Sequence, residues 1–513
     1  MEERSPRLPV IIAVVIGIVG VAAALAAGHL VAAFIDPAAS PFLAVGNSAI
    51  DLTPLPLKDF AVRTFGTYDK LVLLTGMGVF LLLVAATAGG LSRRTAVPGT
   101  VLAVLLGALA IAAVLARPNL TPVAVLAPVT SLVAGVAVFR WLHALAMRDQ
   151  HNAVQPESAG RRRFMLGSAA AVLGVAVAGG LGQWLTGRVD VQGSRSKVTA
   201  FLSRFTRTSV PDGADFAVQG TETFLTPNAK FYRVDTALSV PQLRAEDWSL
   251  RVHGMVDREL RLSFDDVKSM DLVTRTITMT CVSNEVGDPY VSTADFTGVL
   301  LRELLAKAGV QQGVDQVLSS SVDGYSAGTP LATVMDPGRN AMLAIGMNGE
   351  ALPPEHGFPA RLVVPGVYGY ASATKWVTDI ELTTFAAKQQ YWVPRGYSAR
   401  APIKTESRID VPQGLQALPS GKVVVAGIAW AQTKGIRKVE LQMDNGPWQE
   451  ADLAVTVNDE TWRMWRKSFD LKPGTHQVVC RATDSTGYTQ TQDRVSPIPD
   501  GATGWHTILF TTT

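Results

Sequence analysis

Two thiols, Cys281 and Cys480, are the only cysteines in 513 residues. Cys281 closes the β-forming run Thr276-Ile-Thr-Met-Thr-Cys281 and stands immediately before the polar turn Val-Ser-Asn-Glu285. A strand end of this kind delivers a side chain to a loop-built site. A thiolate there can act as a nucleophile or as a soft metal ligand. Cys480 lies inside His476-Gln-Val-Val-Cys-Arg-Ala482, in mid-strand, where a free cysteine behaves as a small buried hydrophobe. A disulfide between the two is the other reading of an extracytoplasmic cysteine pair. Their different settings weigh against it.

The elements that must position Cys281 are short and mixed. Trp248–Val256, Thr274–Cys281, Ala360–Val364 and Thr374–Leu382 read as strands. Thr297–Gly309 reads as a helix, with Leu300, Leu301, Leu304 and Leu305 on one face and Gly309 as its stop. After about residue 400 the helical pattern disappears. Lys422–Trp430, Arg437–Met443, Trp462–Asp470, His476–Thr483 and Thr489–Val495 are strand candidates at turn-punctuated spacing, which predicts a β-sandwich. Residues 188–230 read as a polar linker. His253 reads as a packing residue.

Composition divides the chain. It is 48% hydrophobic and 17% charged, below the roughly 25% charged of soluble domains, with a mean hydropathy of +0.21. Residues 1–190 hold 14 Lys and Arg against 9 Asp and Glu, a net of +5. The remainder holds 32 against 34, a net of −2. The whole-chain +3 is too small to argue for nucleic acid.

Five uncharged runs occupy the first part: Val10–Ile35, Leu71–Ser92, Val97–Ala116, Pro118–Phe139 and Phe164–Thr186. Each is long enough to cross a bilayer as a helix. Arg4, Arg7, Arg93, Arg94, Arg140, Arg148 and Arg161 to Arg163 flank one side, whereas Lys58, Arg63, Lys70 and Arg117 flank the other. The positive-inside rule then predicts an inside amino terminus and everything after residue 187 outside the cytoplasmic membrane. Arg161-Arg-Arg-Phe-Met-Leu166 before the fifth run resembles a twin-arginine export signal, placed internally. His29 and His143 fall at opposite ends of their spans, so no bis-histidine haem is expected. No intramembrane acidic pair marks a proton path.

In order along the chain, several segments resemble the molybdopterin-dependent oxidoreductases of the sulfite oxidase family, in a membrane-anchored bacterial form. They are Phe231-Tyr-Arg233, Leu250-Arg-Val-His-Gly-Met-Val256, Thr278-Met-Thr-Cys-Val-Ser-Asn284, Phe296–Leu305, Met347-Asn-Gly-Glu-Ala-Leu-Pro-Pro-Glu-His-Gly-Phe-Pro-Ala-Arg361 and Lys375-Trp-Val377. Residues 421–490 resemble the family's immunoglobulin-like domain, which often mediates dimers. The resemblance covers about residues 228–495 and implies a multi-domain architecture. A five-span helical bundle (1–187) and the linker (188–230) precede an α+β molybdopterin-binding catalytic domain (231–398). An all-β immunoglobulin-like domain (399–513) follows.

The resemblance implies a molybdenum–molybdopterin cofactor with Cys281 as the molybdenum ligand. Asn284 and His356 would hydrogen-bond the pterin, and Arg361, Lys375 and Arg233 would supply positive charge to its phosphate. Relative to sulfite oxidases, one extra residue separates Gly369 from Lys375. Two departures bear on substrate. Ile345 stands where the family carries a metal-lining tyrosine, and Glu285 and Val286 stand where it carries arginines for its anionic substrate. Sulfite oxidation is therefore disfavoured against oxygen-atom transfer on a small, neutral sulfur or nitrogen oxide. Electrons would pass to or from a separate electron-transfer protein or a quinol-linked carrier. Membrane lipid and a second copy of the chain are the other implied partners. A cofactor-less binding or assembly protein on the same fold is the alternative, and Cys281, His356 and Arg361 speak against it.

Overall fold

The structure, a computed structural model, describes residues 7–65, 68–151, 158–187, 189–205, 208 and 210–513. The chain forms two compact units, Met1–Asp190 with Ala237–Ser239, and Val191–Thr236 with Val240–Thr513.

The first unit is built from α1 (Val10–Ile35), α2 (Pro41–Leu52), α3 (Leu55–Phe65), α4 (Asp69–Leu91), α5 (Val97–Leu115), α6 (Leu126–His151) and α7 (Ser158–Thr186). Among the described residues five helices, α1 and α4 to α7, are long and apolar enough to cross a membrane. α1 is central and packs against α4, α6 and α7. A Cβ at Gly17 would collide with the Ala85 carbonyl of α4, the close approach that small residues permit between apolar helices. Phe80, Leu83, Leu105 and Leu173 remain exposed; a soluble bundle would cover such a surface. The fourth long helix starts later than the charge pattern suggests. Pro122 opens a 3-10 turn over Pro122–Val125, and α6 then runs on through Arg140 and Arg148, whose long stems let their charge reach water from a helical position. α2 and α3 fill what reads in the sequence as a loop. Arg4 lies outside the described residues.

The second unit opens with α8 (Val191–Leu202), inside the segment that reads as a linker. Val191, Ser194, Val198 and Leu202 form its buried stripe, at helical spacing. Its Arg195 donates to the Leu352 carbonyl at 3.0 Å.

Two sheets follow. One has the order β2-β1-β10-β5-β6, from β1 (Ser249–Gly254), β2 (Leu260–Ser263), β5 (Gln316–Ser321), β6 (Ser326–Pro330) and β10 (Val377–Thr383). β1 and β10 run parallel. The other has the order β3-β4-β7-β8 with β9 on β7, from β3 (Leu272–Thr280), β4 (Val291–Leu300), β7 (Met342–Met347), β8 (Glu350–Ala351) and β9 (Arg361–Val363). α9 (Phe264–Lys268), α10 (Leu301–Ala308) and α11 (Leu331–Met335) connect them. The helix expected from Thr297 begins only at Leu301, because Thr297–Leu300 completes β4 and pairs with β7. Every residue of β4 is buried, so the strand carries no alternation to distinguish it from a buried helix. Gly309 does end the helix, at φ 73°. His253 pairs with Asp379 across β1 and β10 at 3.0 Å.

The remaining strands are β11 (Glu406–Val411), β12 (Ala417–Leu418), β13 (Gly421–Trp430), β14 (Ile436–Met443), β15 (Trp448–Glu450), β16 (Asp452–Leu453), β17 (Arg463–Leu471), β18 (Gly474–Asp484) and β19 (His506–Thr512). They make a sheet β11-β13-β17-β16 and a sheet β12-β19-β18-β14-β15. Val425, Trp465 and Phe469 of the first share one core with Leu441, Val478, Cys480 and Phe510 of the second, as in a sandwich. Thr489–Val495 is not a strand. Thr489 and Val495 each make only an isolated bridge, and the last strand comes after Pro497 and Pro499.

β3 is the edge of its sheet, and sandwich loops cover that edge. The Thr278 N–H donates to the Glu460 carbonyl at 2.9 Å, and Asn458 Nδ2 donates to the Thr276 carbonyl at 3.1 Å. Gln432 Nε2 donates to the Thr278 carbonyl and to Thr280 Oγ1. The Trp462 N–H donates to Thr278 Oγ1 at 2.7 Å. These bonds satisfy backbone groups that a bare edge would expose.

Candidate cofactor site

β3 ends at Thr280, and the chain turns with the Cys281 N–H donating to the Tyr290 carbonyl at 2.9 Å. Cys281 is 7% exposed and lines a cavity enclosing roughly 870 Å³ not filled by protein atoms, part of it open to solvent. Burial raises its thiol pKa, opposed by hydrogen bonds from Ser283 and the Val282 backbone. A bound soft cation would outweigh that burial and favour the thiolate. Among the described residues no cluster of three or more His, Cys, Asp or Glu could hold a metal ion. A metal at Cys281 must therefore bring its other donors with it.

One side of the cavity is cationic. His356 sits on the loop between β8 and β9, Arg361 opens β9, and Lys375 sits just before β10. All three line the cavity. Gly357, at φ 109°, lets this loop fold back, and a Cβ there would press on Arg361 and Lys375 at 3.1 Å. Arg361 is 4% exposed, donates to the His356 and Leu362 carbonyls, and among the described residues makes no ion pair with a carboxylate. Burial pulls its pKa down to about 10. Lys375 Nζ lies 2.8 Å from Asp235 Oδ2 and 3.1 Å from the Glu355 carbonyl. Burial lowers its pKa to about 8 despite Asp235. Arg233 Nε shares the same Asp235 oxygen at 2.8 Å. His356 Nε2 lies 3.2 Å from the Asn228 carbonyl, and burial with the Arg361 and Lys375 charges holds its pKa down at about 3. It is neutral near pH 7.

Arg361 and Lys375 in the lining, with Arg233 behind Asp235, thus stand against the carboxylates Asp235 and Asp323 around a neutral imidazole, an excess of one positive charge. A phosphate ester carries about −1.5 to −2 near neutral pH. A buried guanidinium without a carboxylate calls for such an anion. The cavity therefore has the groups to hold a phosphorylated, metal-bearing organic cofactor: cations at Arg361 and Lys375 and a soft donor at Cys281.

The other side is aromatic. Tyr325, Tyr370, Trp392 and Tyr397 line it together with Asp323. Burial, with smaller contributions from Cys281 and, for Tyr325, Asp323, raises the Tyr232 and Tyr325 hydroxyls above their ordinary pKa. Phenols therefore stand beside the sulfur although Ile345, where the family's tyrosine would be, is buried in β7 away from the cavity.

The remaining sequence-derived residues are placed differently. Arg233 is 41% exposed and reaches the site through Asp235. Asn284 is 2% exposed and does not line the cavity. Its Oδ1 accepts from the Tyr290 N–H at 2.9 Å. Its amide approaches the buried Glu406 carboxyl of β11 closely enough to lower that acid's pKa, although neither Asn284 Nδ2 nor Glu406 Oε1 completes a hydrogen bond of standard geometry. Asn284 thus braces the Cys281 loop. Glu285 is not a lining residue either; the carboxylates at the cavity are Asp235 and Asp323. Asp323 and the aromatic residues come from separate loops, and no local pattern marks them.

Residues 237–392 match the family described as oxidoreductase molybdopterin binding domain. Mitochondrial sulfite oxidase of Homo sapiens is 30% identical over 328 residues, covering 54% of this chain and 59% of that protein. Nitrate reductase (NADPH) of Emericella nidulans is 34% identical over 193 residues, covering 33% and 22%. The chain spans about 59% of the length of the sulfite oxidase it matches. Among solved structures, the sulfane dehydrogenase SoxCD from Paracoccus pantotrophus superposes with a TM-score of 0.50 at 22% identity, covering 60% of this chain and 88% of that one. That likeness concerns the fold. Residues 237–392 are thus a molybdopterin-binding oxidoreductase domain similar to that of the sulfite oxidases, and its cofactor is molybdenum on molybdopterin.

Proposed function

We propose that this chain is a membrane-anchored oxidoreductase performing oxygen-atom transfer on a small sulfur or nitrogen oxide outside the cytoplasmic membrane. Cys281 would ligate the molybdenum. The carrying observation is the cavity that joins Cys281 to Arg361, Lys375 and His356. When bound, the cofactor supplies two-electron redox chemistry at its metal. The protein's part is positional. Cys281 offers a soft ligand from a strand pinned on both sides. Arg361 and Lys375 neutralise phosphate, and Arg233 adds charge through Asp235. His356, neutral near pH 7, presents an imidazole to the pterin, while Asn284 holds the Cys281 loop.

Five apolar helices and the arginine asymmetry of their flanks support a multi-pass anchor with the amino terminus inside. Arg161 to Arg163 fit an internal twin-arginine signal. The two-sheet sandwich supports the immunoglobulin-like reading of the carboxy-terminal domain and a dimer through it. A separate protein or a quinol-linked carrier would exchange electrons with the site.

The test is metal and pterin analysis of the purified chain from a cofactor-competent host, beside Cys281→Ser. About one molybdenum per chain is expected, with the variant losing the metal or its redox activity. A wild-type protein free of both molybdenum and pterin would overturn the proposal in favour of the binding-protein alternative. A reporter fused after residue 190 should be active only outside, and cytoplasmic activity would reverse the orientation.

A further inference from the structure

The cavity has two unlike walls, and the cofactor's charge accounts for only one of them. Tyr325, Tyr391, Trp392, Tyr397 and Tyr370 form an unbroken series of rings, with successive centroids 5.6, 5.2, 5.2 and 5.2 Å apart. At these spacings the rings touch, leaving no slot between them, and they act as a continuous apolar face. Backbone carbonyls hold two of the hydroxyls: Tyr325 donates to the Tyr370 carbonyl and Tyr370 to the Ser398 carbonyl, each at 2.7 Å. The phenolic protons of Tyr325 and Tyr370 are therefore already engaged. Asp323 lines the same side, close enough to Tyr325 to raise its pKa. Among the described residues the cationic groups lining the cavity are Arg361 and Lys375, and neither belongs to the ring series. Arg395 stacks its guanidinium 3.7 Å from the Tyr391 ring centroid without lining the cavity.

We infer that this wall selects the substrate: an uncharged sulfur or nitrogen oxide carrying an aryl or comparably large apolar substituent. The substituent packs on Trp392 and Tyr397 and directs the oxide toward Cys281. Oxyanions such as sulfite and nitrate meet aromatic faces there where they would need cations. The inference rests on the proposed oxygen-atom transfer and names its substrate class. In the reductive direction a sulfoxide takes two electrons from an external reduced donor and two protons. The S–O bond breaks, and a thioether and water leave.

The experiment uses the full-length holoenzyme with reduced benzyl viologen as donor, comparing methyl p-tolyl sulfoxide with dimethyl sulfoxide and testing sulfite as an inhibitor. The aryl sulfoxide should have a KM roughly 10-fold or more below that of dimethyl sulfoxide, with sulfite a poor competitor. Trp392→Ala should raise the aryl KM by roughly 3- to 10-fold with kcat changed far less, and Trp392→Phe should recover most of it. Asp323→Asn should strengthen inhibition by sulfite. Equal KM values for both sulfoxides, or a Trp392→Ala variant with unaltered discrimination, overturn the inference. Calorimetric titration with the unreactive methyl p-tolyl sulfide against dimethyl sulfide reads the wall without turnover. Preferential aryl binding with no sulfoxide reduction would uphold the wall and reject the reaction direction. Equal or absent binding of both thioethers rejects the wall.

Discussion

Replacing Arg361 with methionine should have opposite effects on the empty and the loaded protein. Burial lowers the Arg361 pKa from 12.5 to about 10, which at 1.36 kcal/mol per unit is a folding penalty of roughly 3 kcal/mol. The group is a base whose folded pKa lies below its unfolded one. The penalty is therefore complete wherever both states are protonated, including pH 7, and vanishes only above 12.5. Methionine removes that cost and keeps the apolar stem. It also forfeits the bonds to the His356 and Leu362 carbonyls, about 1 kcal/mol each. The net for the empty protein is about 1 kcal/mol of added stability, a rise of a few degrees at most in the melting midpoint. In the loaded protein the variant loses a charge-assisted contact to phosphate, about 1.5–3 kcal/mol, or roughly a 10- to 150-fold weaker hold. The assay compares full-length protein from hosts with and without molybdopterin synthesis, by thermal unfolding and by pterin and molybdenum content after dialysis. A variant that melts well below wild type when empty, yet retains its cofactor as wild type does, would refute the idea that Arg361 is a buried charge awaiting an anion.

Glu406 provides a pH test. Burial pushes its pKa from 4.5 up to about 8, so between those values the folded chain holds a proton that the unfolded chain releases. Its contribution to stability therefore declines as pH rises from about 4.5 toward 8. Glu406→Gln should reduce the loss of melting midpoint between pH 5 and pH 8, and an unchanged pH dependence would exclude Glu406 as its source. The thiols provide a chemical test. Cys480 is fully buried, accepts from Ser407 Oγ at 3.2 Å, and has its pKa pushed up to about 12. In the native cofactor-free chain at pH 8, a small maleimide should label Cys281 and spare Cys480, as read by peptide mass spectrometry. Native labelling of Cys480 would contradict the packed sandwich core.

Much of the site is legible in the sequence because it is local. Cys281 ends a β-forming run, and His356 and Arg361, five residues apart around Gly357, stand in a short motif that carries the family resemblance. The structure brings them to one cavity with Lys375. The aromatic wall is not legible. Tyr325, Tyr370, Trp392 and Tyr397 lie on three separate loops, and only the stacking of β5, β6 and β10 against the turns that follow makes them neighbours. Glu285, which stands where the resemblance puts a substrate arginine, does not line the cavity, whereas Asp323 lines it from a turn about 40 residues away. Asn284 reads as a pterin hydrogen-bonding group through the resemblance of its segment; in the structure its amide lies against Glu406, from a strand more than 120 residues later. In the fold, the fully buried β4 disguises its last residues as helix, and the Ser194 interruption hides the stripe of α8.

The seam between β3 and the sandwich affects how such a chain can be inherited or re-engineered. The carbonyl of Thr276 and the N–H and carbonyl of Thr278 find their partners in Gln432, Asn458 and Glu460. Cutting the chain near residue 400 would leave those groups on an edge strand one residue from the cysteine, with each unpaired group that stays buried costing about 1–3 kcal/mol. The two halves are therefore not interchangeable parts. A sandwich transplanted from a relative would need to bring its own 432 and 458–462 loops matched to this strand. The position of the sulfur is thus encoded jointly by segments separated by some 150 to 180 residues.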